Sequence, residues 1–413
     1  MPTPQQFVLA VQYTPLSRAE PGRSMLGLAL PLVPASEAAL APGALAAIAP
    51  ASASAVASSK KPRLLGLMLS LIGRSPQFSI LRASSTVRRS DAEINVDRRL
   101  RTSIVGTVET VVIGARGSRL AQLMVGELLD HLGSCPVVKF KVKAVVTDGD
   151  RDRRTPLRDL GGADGGGVFT NQLQEELFAG RIDIAVHSLK DLPTSCPDGL
   201  ALAVTPPRHD PRDALCGSSL EGLPAGAKVG TGSPRRIAQL RALRPDLEVV
   251  PLRGNVPTRL GRLKSGLDAV VLAASGLIRL GAADSITEYL PAGLYPPSPG
   301  QGALGVQVRA GDRELLAMLN AYGDPEADAA VRAERALLAE LHGGCSVPVG
   351  AFAHLTEGSL RLNAQVTSPD GRQVVAGSAA GSDPEAVGLS LATTLLSRGA
   401  GEILREVRAP AFR

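Results

Sequence analysis

The feature that most restricts the fold of this chain is a unit that occurs twice. A short apolar run stops at a glycine turn, arginine stands in or just after the turn, and a helical repeat begins. In the first copy the run 111–113 ends at Gly114, and Ala115-Arg116-Gly117-Ser118 follows. Leu120, Met124, Leu128 and Leu132 then recur every fourth residue, up to Gly133. That spacing predicts a helix with Ser118 as its N-cap and Gly133 as its stop. In the second copy Val229-Gly230-Thr231-Gly232-Ser233 runs into Pro234, a favoured first-turn residue, with Arg235 and Arg236 in the same turn. Strand, turn and helix in this order build α/β sheets. A helix N-terminus at such a turn presents unpaired N–H groups and the positive end of the dipole, which suits an anion.

The remaining segments extend the pattern. Residues 137–146 alternate Lys139, Lys141 and Lys143 with apolar side chains, which predicts a strand with one wet face. Residues 147–150 read as a turn and 161–167 as a glycine-rich loop. A helix is expected over 172–179, with Asn171 as its cap and Gln174 completing a capping box. The run 182–186 reads as a central parallel strand. It passes directly into His187-Ser188-Leu189-Lys190-Asp191-Leu192-Pro193, so Lys190 and Asp191 fall just past a strand's C-terminal end, where open α/β sheets take ligands. A neighbouring lysine and aspartate on a loop are equally a solvated surface pair. Strands are expected at 247–252 and 269–273, with Arg253-Gly254-Asn255 after the first and Arg259 one turn into the next helix.

Arg116, Arg235, Arg236, Arg253 and Arg259 thus gather at strand ends and helix starts. The guanidinium fork matches a carboxylate with two parallel hydrogen bonds. Neither a GxxxxGK[ST] loop nor a GxGxxG turn with a downstream acid is present, so small organic polycarboxylates suit these arginines better than nucleotides do.

Pro299-Gly300-Gln301-Gly302-Ala303 interrupts the pattern as an interdomain hinge would, and 304–308 resumes it as a strand. A new unit begins near Pro325, with a helix over 327–341, the loop His342-Gly343-Gly344-Cys345-Ser346-Val347-Pro348, strands at 351–355 and 360–367, and a last helix near 384–398. A thiol in such a loop is a nucleophile or an attachment point, whereas a buried one is inert packing; the residues leave both open.

Composition excludes several classes. Aromatics make up 3% and tryptophan is absent, which argues against base stacking. The net charge of +6 invites a nucleic-acid reading, but residues 1–90 hold nine basic and two acidic residues, leaving 36 basic and 37 acidic in the rest. The cysteines at 135, 196, 216 and 345 form no CxxC pair and no zinc-ligand spacing, so no metal site is expected. Residues 1–107 are rich in Ala, Ser, Pro and Leu and poor in acids. They contain no uninterrupted apolar stretch long enough to span a bilayer, and they read as an organelle transit peptide outside the fold.

Six motifs then carry a resemblance: Ala115-Arg116-Gly117-Ser118, Val186-His187-Ser188-Leu189-Lys190-Asp191-Leu192-Pro193, Asp210-Pro211-Arg212-Asp213-Ala214, Gly230-Thr231-Gly232-Ser233-Pro234-Arg235-Arg236, Leu252-Arg253-Gly254-Asn255-Val256, and Gly343-Gly344-Cys345. In order and spacing, from about residue 111 onward, the chain resembles the hydroxymethylbilane synthase (porphobilinogen deaminase) family. The resemblance implies an α/β chain of three domains. The first two resemble a type II periplasmic binding protein, and the third is a small α+β domain carrying the cofactor cysteine. The implied boundaries are 108–206 with 302–322, 207–301, and 323–413.

For the site, the resemblance implies a dipyrromethane cofactor tied to Cys345 through a thioether. Asp191 would be the catalytic carboxylate. Ser233, Arg235, Arg236, Lys190 and Asp150 would hold the cofactor, and Arg116, Ser118, Arg253, Asn255 and Arg259 would hold the substrate porphobilinogen. Each pyrrole ring brings two carboxylates, which accounts for the number of arginines. A monomer without nucleic-acid or membrane partners is implied. The leader reading adds a plastid destination, with mitochondrion or cytoplasm as alternatives. Gly166 and Asn171 stand where relatives carry lysines, so no lid built on those lysines is implied here.

Two other functions remain open at this level. A non-catalytic anion binder of the same two-lobed fold needs neither Asp191 nor Cys345. Schiff-base chemistry at Lys190 would leave a borohydride-trapped adduct.

Overall fold

The computed structural model describes residues 109–133, 138–151, 168–342 and 347–408. The leader, the whole glycine-rich loop 161–167 with Gly166, and Cys345 lie outside the described residues.

Two five-stranded sheets and one three-stranded sheet organise the chain. The first sheet contains β1 (Glu109–Arg116), β2 (Val138–Val145), β3 (Ile184–Ser188), β4 (Leu200–Val204) and β10 (Leu304–Arg309), in the order β2-β1-β3-β10-β4. The second contains β5 (Asp213–Cys216), β6 (Lys228–Thr231), β7 (Glu248–Pro251), β8 (Ala269–Ala273) and β9 (Glu288–Tyr289), in the order β7-β6-β8-β5-β9. Numbered within each sheet, both orders are second, first, third, crossing strand, fourth. In each, the first strand pairs in parallel with the second and third. The crossing strands β5 and β10 run antiparallel to their neighbours. Each lobe therefore borrows its antiparallel strand from a segment that arrives from the other, which is the two-lobed architecture of type II periplasmic binding proteins. It also corrects one expectation: β3 is central, but only β1 flanks it in parallel, because β10 lies on its other side.

Helices cover both faces of the first sheet. On one face α1 (Arg119–Leu132) buries Met124, Val125, Leu128 and Leu132 against Ile113, Val186 and Val306. On the other, α3 (Asn171–Phe178) buries Leu173 and Leu177 against Ile182, Ala185 and Leu200. Each such leucine contributes roughly 2–3 kcal/mol by leaving water. Residues 147–150, expected as a turn, close instead into one helical turn, α2 (Asp148–Arg151). The capping box at α3 does not form. Thr170 is the N-cap and Asn171 is already helical, while Gln174 is buried and donates to Gln307 Oε1 at 3.2 Å.

The second sheet is packed by α4 (Pro234–Leu243), α5 (Val256–Gly261) and α6 (Ala274–Arg279). After α7 (Arg313–Asn320), the chain enters α8 (Pro325–Glu340) and the antiparallel sheet β11 (Val349–Thr356), β12 (Ser359–Thr367) and β13 (Val374–Gly381). The helices α9 (Pro384–Ser397) and α10 (Ala400–Arg408) close its core. The sequence predicted two of these three strands and missed α10. Only glycine serves at 302, where φ is +91° and a Cβ would overlap the His209 carbonyl; the two crossing segments meet there.

Candidate active site

The cleft is built where the first lobe's strand ends face the second lobe's helix starts. At the end of β1, Arg116 projects from the turn, and the Ser118 hydroxyl accepts from Ala121 N at 3.3 Å to cap α1. Two neighbours orient Arg116. Asp150 takes its Nη2 at 2.5 Å and its Nε at 3.2 Å, and the Phe169 ring lies beneath the guanidinium at 4.0 Å. Burial alone would raise the Asp150 carboxyl, but hydrogen bonds from Arg116 and Thr147 outweigh it and hold the group below the usual range. Asp150 is thus the partner of a cleft arginine, which restrains the side chain that meets the ligand.

β3 delivers His187 and Ser188 to the same cleft and ends in a 3-10 turn, Leu189–Asp191. Lys190 donates to Gln301 Oε1 at 3.0 Å. Burial, reinforced by Arg236, lowers its ammonium to about 8. Asp191 lines the cleft, half-buried, between Lys190 and Arg259. His187 is buried and pushed down to about 3 by burial and by Arg116, so it stays neutral at physiological pH.

In the second lobe, Arg236 and Arg259 line the cleft. Arg259 donates through Nε to the Gly254 carbonyl at 2.8 Å. Its guanidinium is lowered to about 10 by burial and by Arg236 and Arg253, with Asp191 pulling the other way. Arg253 is half-buried at the end of β7 and adds to that positive field. Arg236 is fixed from behind by Asp213, through Nη2 at 2.6 Å and Nε at 3.1 Å, and by the Val271 carbonyl.

Five residues assigned to ligands from the sequence, Asp150, Ser233, Arg235, Arg253 and Asn255, do not line this cleft. Arg235 is buried beside Asp213, with Nη2 at 2.7 Å from Oδ2 in an ion pair not aligned as a hydrogen bond. It also donates to Gln239 and to the Pro296 carbonyl. Asn255 is exposed and caps α5, accepting from Thr258 N at 2.9 Å and Thr258 Oγ1 at 2.7 Å. Ser233 stands at the N-cap of α4 without a capping bond from its side chain. Arg116, Ser118, Lys190, Asp191, Arg236 and Arg259 do come together around one cleft.

Sequence reasoning missed other residues. Arg279 lines the cleft from α6 and pairs with Glu127 of α1 at 2.7 Å, joining the two lobes. Gln301, buried in the second crossing, touches both Lys190 and Asp213. An amide between two glycines in a hinge-like run was the available signal. Thr170 Oγ1 and His187 Nε2 are buried, belong to residues lining the cleft, and have no hydrogen-bond partner. Orphaned buried polar atoms at a cleft are where a polar ligand is expected.

One expectation follows from Lys190. Its charge is present below about 8 and lost above it, while the arginines keep theirs. Activity (kcat/KM) should therefore fall as pH rises through about 8, and Lys190→Arg should remove that alkaline limb. An unchanged limb in the Lys190→Arg enzyme would dissociate it from this ammonium.

Two lobes of one topology, an arginine-lined cleft with a single carboxylate among its described lining residues, on a strand-end turn, and a separate α+β domain define a two-lobed site for a polycarboxylate. The family model "Porphobilinogen deaminase, dipyromethane cofactor binding domain" matches residues 111–317, and "Porphobilinogen deaminase, C-terminal domain" matches 329–397. A porphobilinogen deaminase of Desulforudis audaxviator is 48% identical over 308 residues, 73% of this chain and 99% of that protein. One from Brevibacillus brevis is 43% identical over 71% of this chain and 96% of its own length. Among solved structures, an ancestral cationic amino acid solute-binding protein aligns over 52% of this chain and 87% of its own, at 16% identity and a TM-score of 0.32. The chain belongs to the porphobilinogen deaminase family.

Proposed function

We propose that this cleft performs the hydroxymethylbilane synthase reaction: four porphobilinogen molecules joined head to tail, each losing ammonia, followed by hydrolytic release of the linear tetrapyrrole. The observation that carries the reading is Asp191, the one carboxylate among the described residues that line the cleft, set beside Lys190 and Arg259. In each condensation the substrate's aminomethyl C–N bond breaks, a C–C bond forms at the neighbouring ring carbon, and that carbon loses its proton. Asp191 supplies a proton to the departing nitrogen and, as carboxylate, stabilises the positive charge left on the substrate methylene. Arg116, Ser118, Arg236 and Arg259 hold the acetate and propionate arms by charge-assisted hydrogen bonds.

The cleft suits a dipyrromethane cofactor. Its cations match four carboxylates, and the unpartnered Thr170 and His187 atoms offer further polar contacts. When bound, dipyrromethane supplies the pyrrole carbon from which the product grows. Lys190, Arg236 and Ser233 are its assigned holders, with Asp150 and Arg235 acting through Arg116 and Asp213. Cys345 is its attachment point, a reading supported by the motif Gly343-Gly344-Cys345. Domain limits at 108–206 with 302–322, 207–301 and 323–413, a monomeric enzyme, and plastid delivery by a transit peptide over 1–107 belong to the same proposal. The acid-poor basic leader and family matches that begin at residue 111 support the last.

Intact-mass measurement tests this directly. The purified chain should carry an excess of two pyrrole units that disappears in Cys345→Ser, and the protein from its native source should lack the leader. A chain that stays unmodified after incubation with porphobilinogen would favour the binding-module reading, and a full-length native protein would remove the transit peptide.

A further inference from the structure

Asp191 accepts no hydrogen bond from another side chain among the described residues, so its position rests on the backbone of its turn and on what holds that backbone. Two supports come from the second crossing: Leu189 N donates to the Ala303 carbonyl at 3.1 Å, and Lys190 reaches Gln301. The remaining support comes from the third domain. Three residues on one face of α8, at positions i, i+3 and i+4, dock there. Val331 packs beneath Leu189, Leu192 and Ala303. Glu334, fully buried, takes Arg208 through two bonds of 2.8 and 3.0 Å and the Gly300 amide at 2.7 Å. Arg335 reaches across to donate through Nη2 to the carbonyls of Pro193 at 2.7 Å and Thr194 at 2.9 Å.

We infer that Arg335 is a positioning residue for the reaction: by holding the Pro193 and Thr194 carbonyls it fixes how far the Asp191 turn stands into the cleft. The third domain, which carries the cofactor cysteine in the reading above, thereby also sets the acid's position. Val331 and Glu334 anchor α8 to the crossing, so Arg335 acts from a fixed base. The carbonyls it grips lie two and three residues beyond Asp191, just after Leu192 closes the acid's turn. The inference rests on Asp191 being the proton-transferring carboxylate.

The two ideas fail separately. If the Asp191→Asn holoenzyme keeps its turnover, the assignment of Asp191 is wrong whatever Arg335 does. With Asp191 established, Arg335→Met, similar in length but without donors, should lower kcat about 10-fold or more, since a misplacement near 1 Å suffices for such losses. KM for porphobilinogen should change less than about twofold, because the arms are held elsewhere. Arg335→Lys, whose ammonium can still meet a carbonyl, should recover most of kcat. In an Asp191→Asn background, Arg335→Met should have almost no further effect. Holoenzyme content by intact mass and the melting temperature are read alongside. If Arg335→Met does not fold, the comparison is made between Arg335→Lys and Arg335→Gln. A rise in KM with kcat unchanged, multiplicative losses in the double variant, or failure of the lysine to exceed the donor-poor variant would each overturn the inference.

Discussion

Asp191→Asn should lower kcat by about 10²–10⁴-fold, the range typical of losing a positioned acid, and should leave the fold intact. Asparagine keeps the shape of the side chain and its place on the 3-10 turn, but it can neither supply the proton nor balance the positive charge on the substrate methylene. Single-turnover ammonia release from the holoenzyme measures this without interference from product release. A second readout has a fixed sign. Asp191 raises the pKa of both Lys190 and Arg259, so its removal lowers them. The alkaline limb of any residual activity should then move below about 8, because Lys190 loses its proton earlier. A loss smaller than about threefold would leave the cleft as an anion-binding site whose chemistry is carried elsewhere.

What could be read in the sequence was the part fixed by local physics. The Ser118 cap, the proline that opens α4 and the glycine turns depend on near neighbours, and the strand ends that carry Arg116, Asp191 and Arg253 lie where the apolar runs stop. Placement in the cleft was legible for the same reason: an open α/β sheet presents its strand ends on one side. What escaped depends on partners far along the chain. Gln174 has the spacing of a capping residue, yet it is buried and bonds Gln307, 133 positions away. β13, with the sequence VVAGSAAG, has no alternation to announce a strand and is defined by its ladder with β12.

Arg235 and Arg236 show the same limit at the site itself. Both read as cations for a ligand, and only the folded chain reveals that a single carboxylate, Asp213, lies between them. Asn255 is a further case: its motif resembles a substrate contact, and in the fold its side-chain oxygen caps the helix that delivers Arg259.

The Asp213 arrangement leads to the largest expected effect on stability. Asp213 is fully buried and faces two guanidiniums and the Gln301 amide, the last at 2.8 Å. Burial would raise its carboxyl; the two arginines outweigh that and hold it well below the usual aspartate range. Its contribution is therefore fully present above the unfolded value near 3.8 and is lost as pH falls toward the depressed folded value. At neutral pH, Asp213→Leu leaves two buried arginines without their counter-charge and should destabilise the protein by about 3–5 kcal/mol, read as a shift in the urea midpoint. Asp213→Asn isolates the charge from the shape. It can still accept from Arg236, so a loss close to that of leucine would assign the effect to charge, and a small loss would assign it to hydrogen bonding. Combining Asp213→Leu with Arg235→Met should recover part of the loss, because Arg235 is buried at 3% exposure while Arg236 also serves the cleft. If the double variant is no more stable than Asp213→Leu alone, uncompensated burial of Arg235 is not the source of the penalty. Activity separates the two arginines as well. Arg236 faces the ligand and owes its orientation to Asp213, so KM should rise in every Asp213 variant that folds, whereas Arg235→Met by itself should leave KM nearly unchanged.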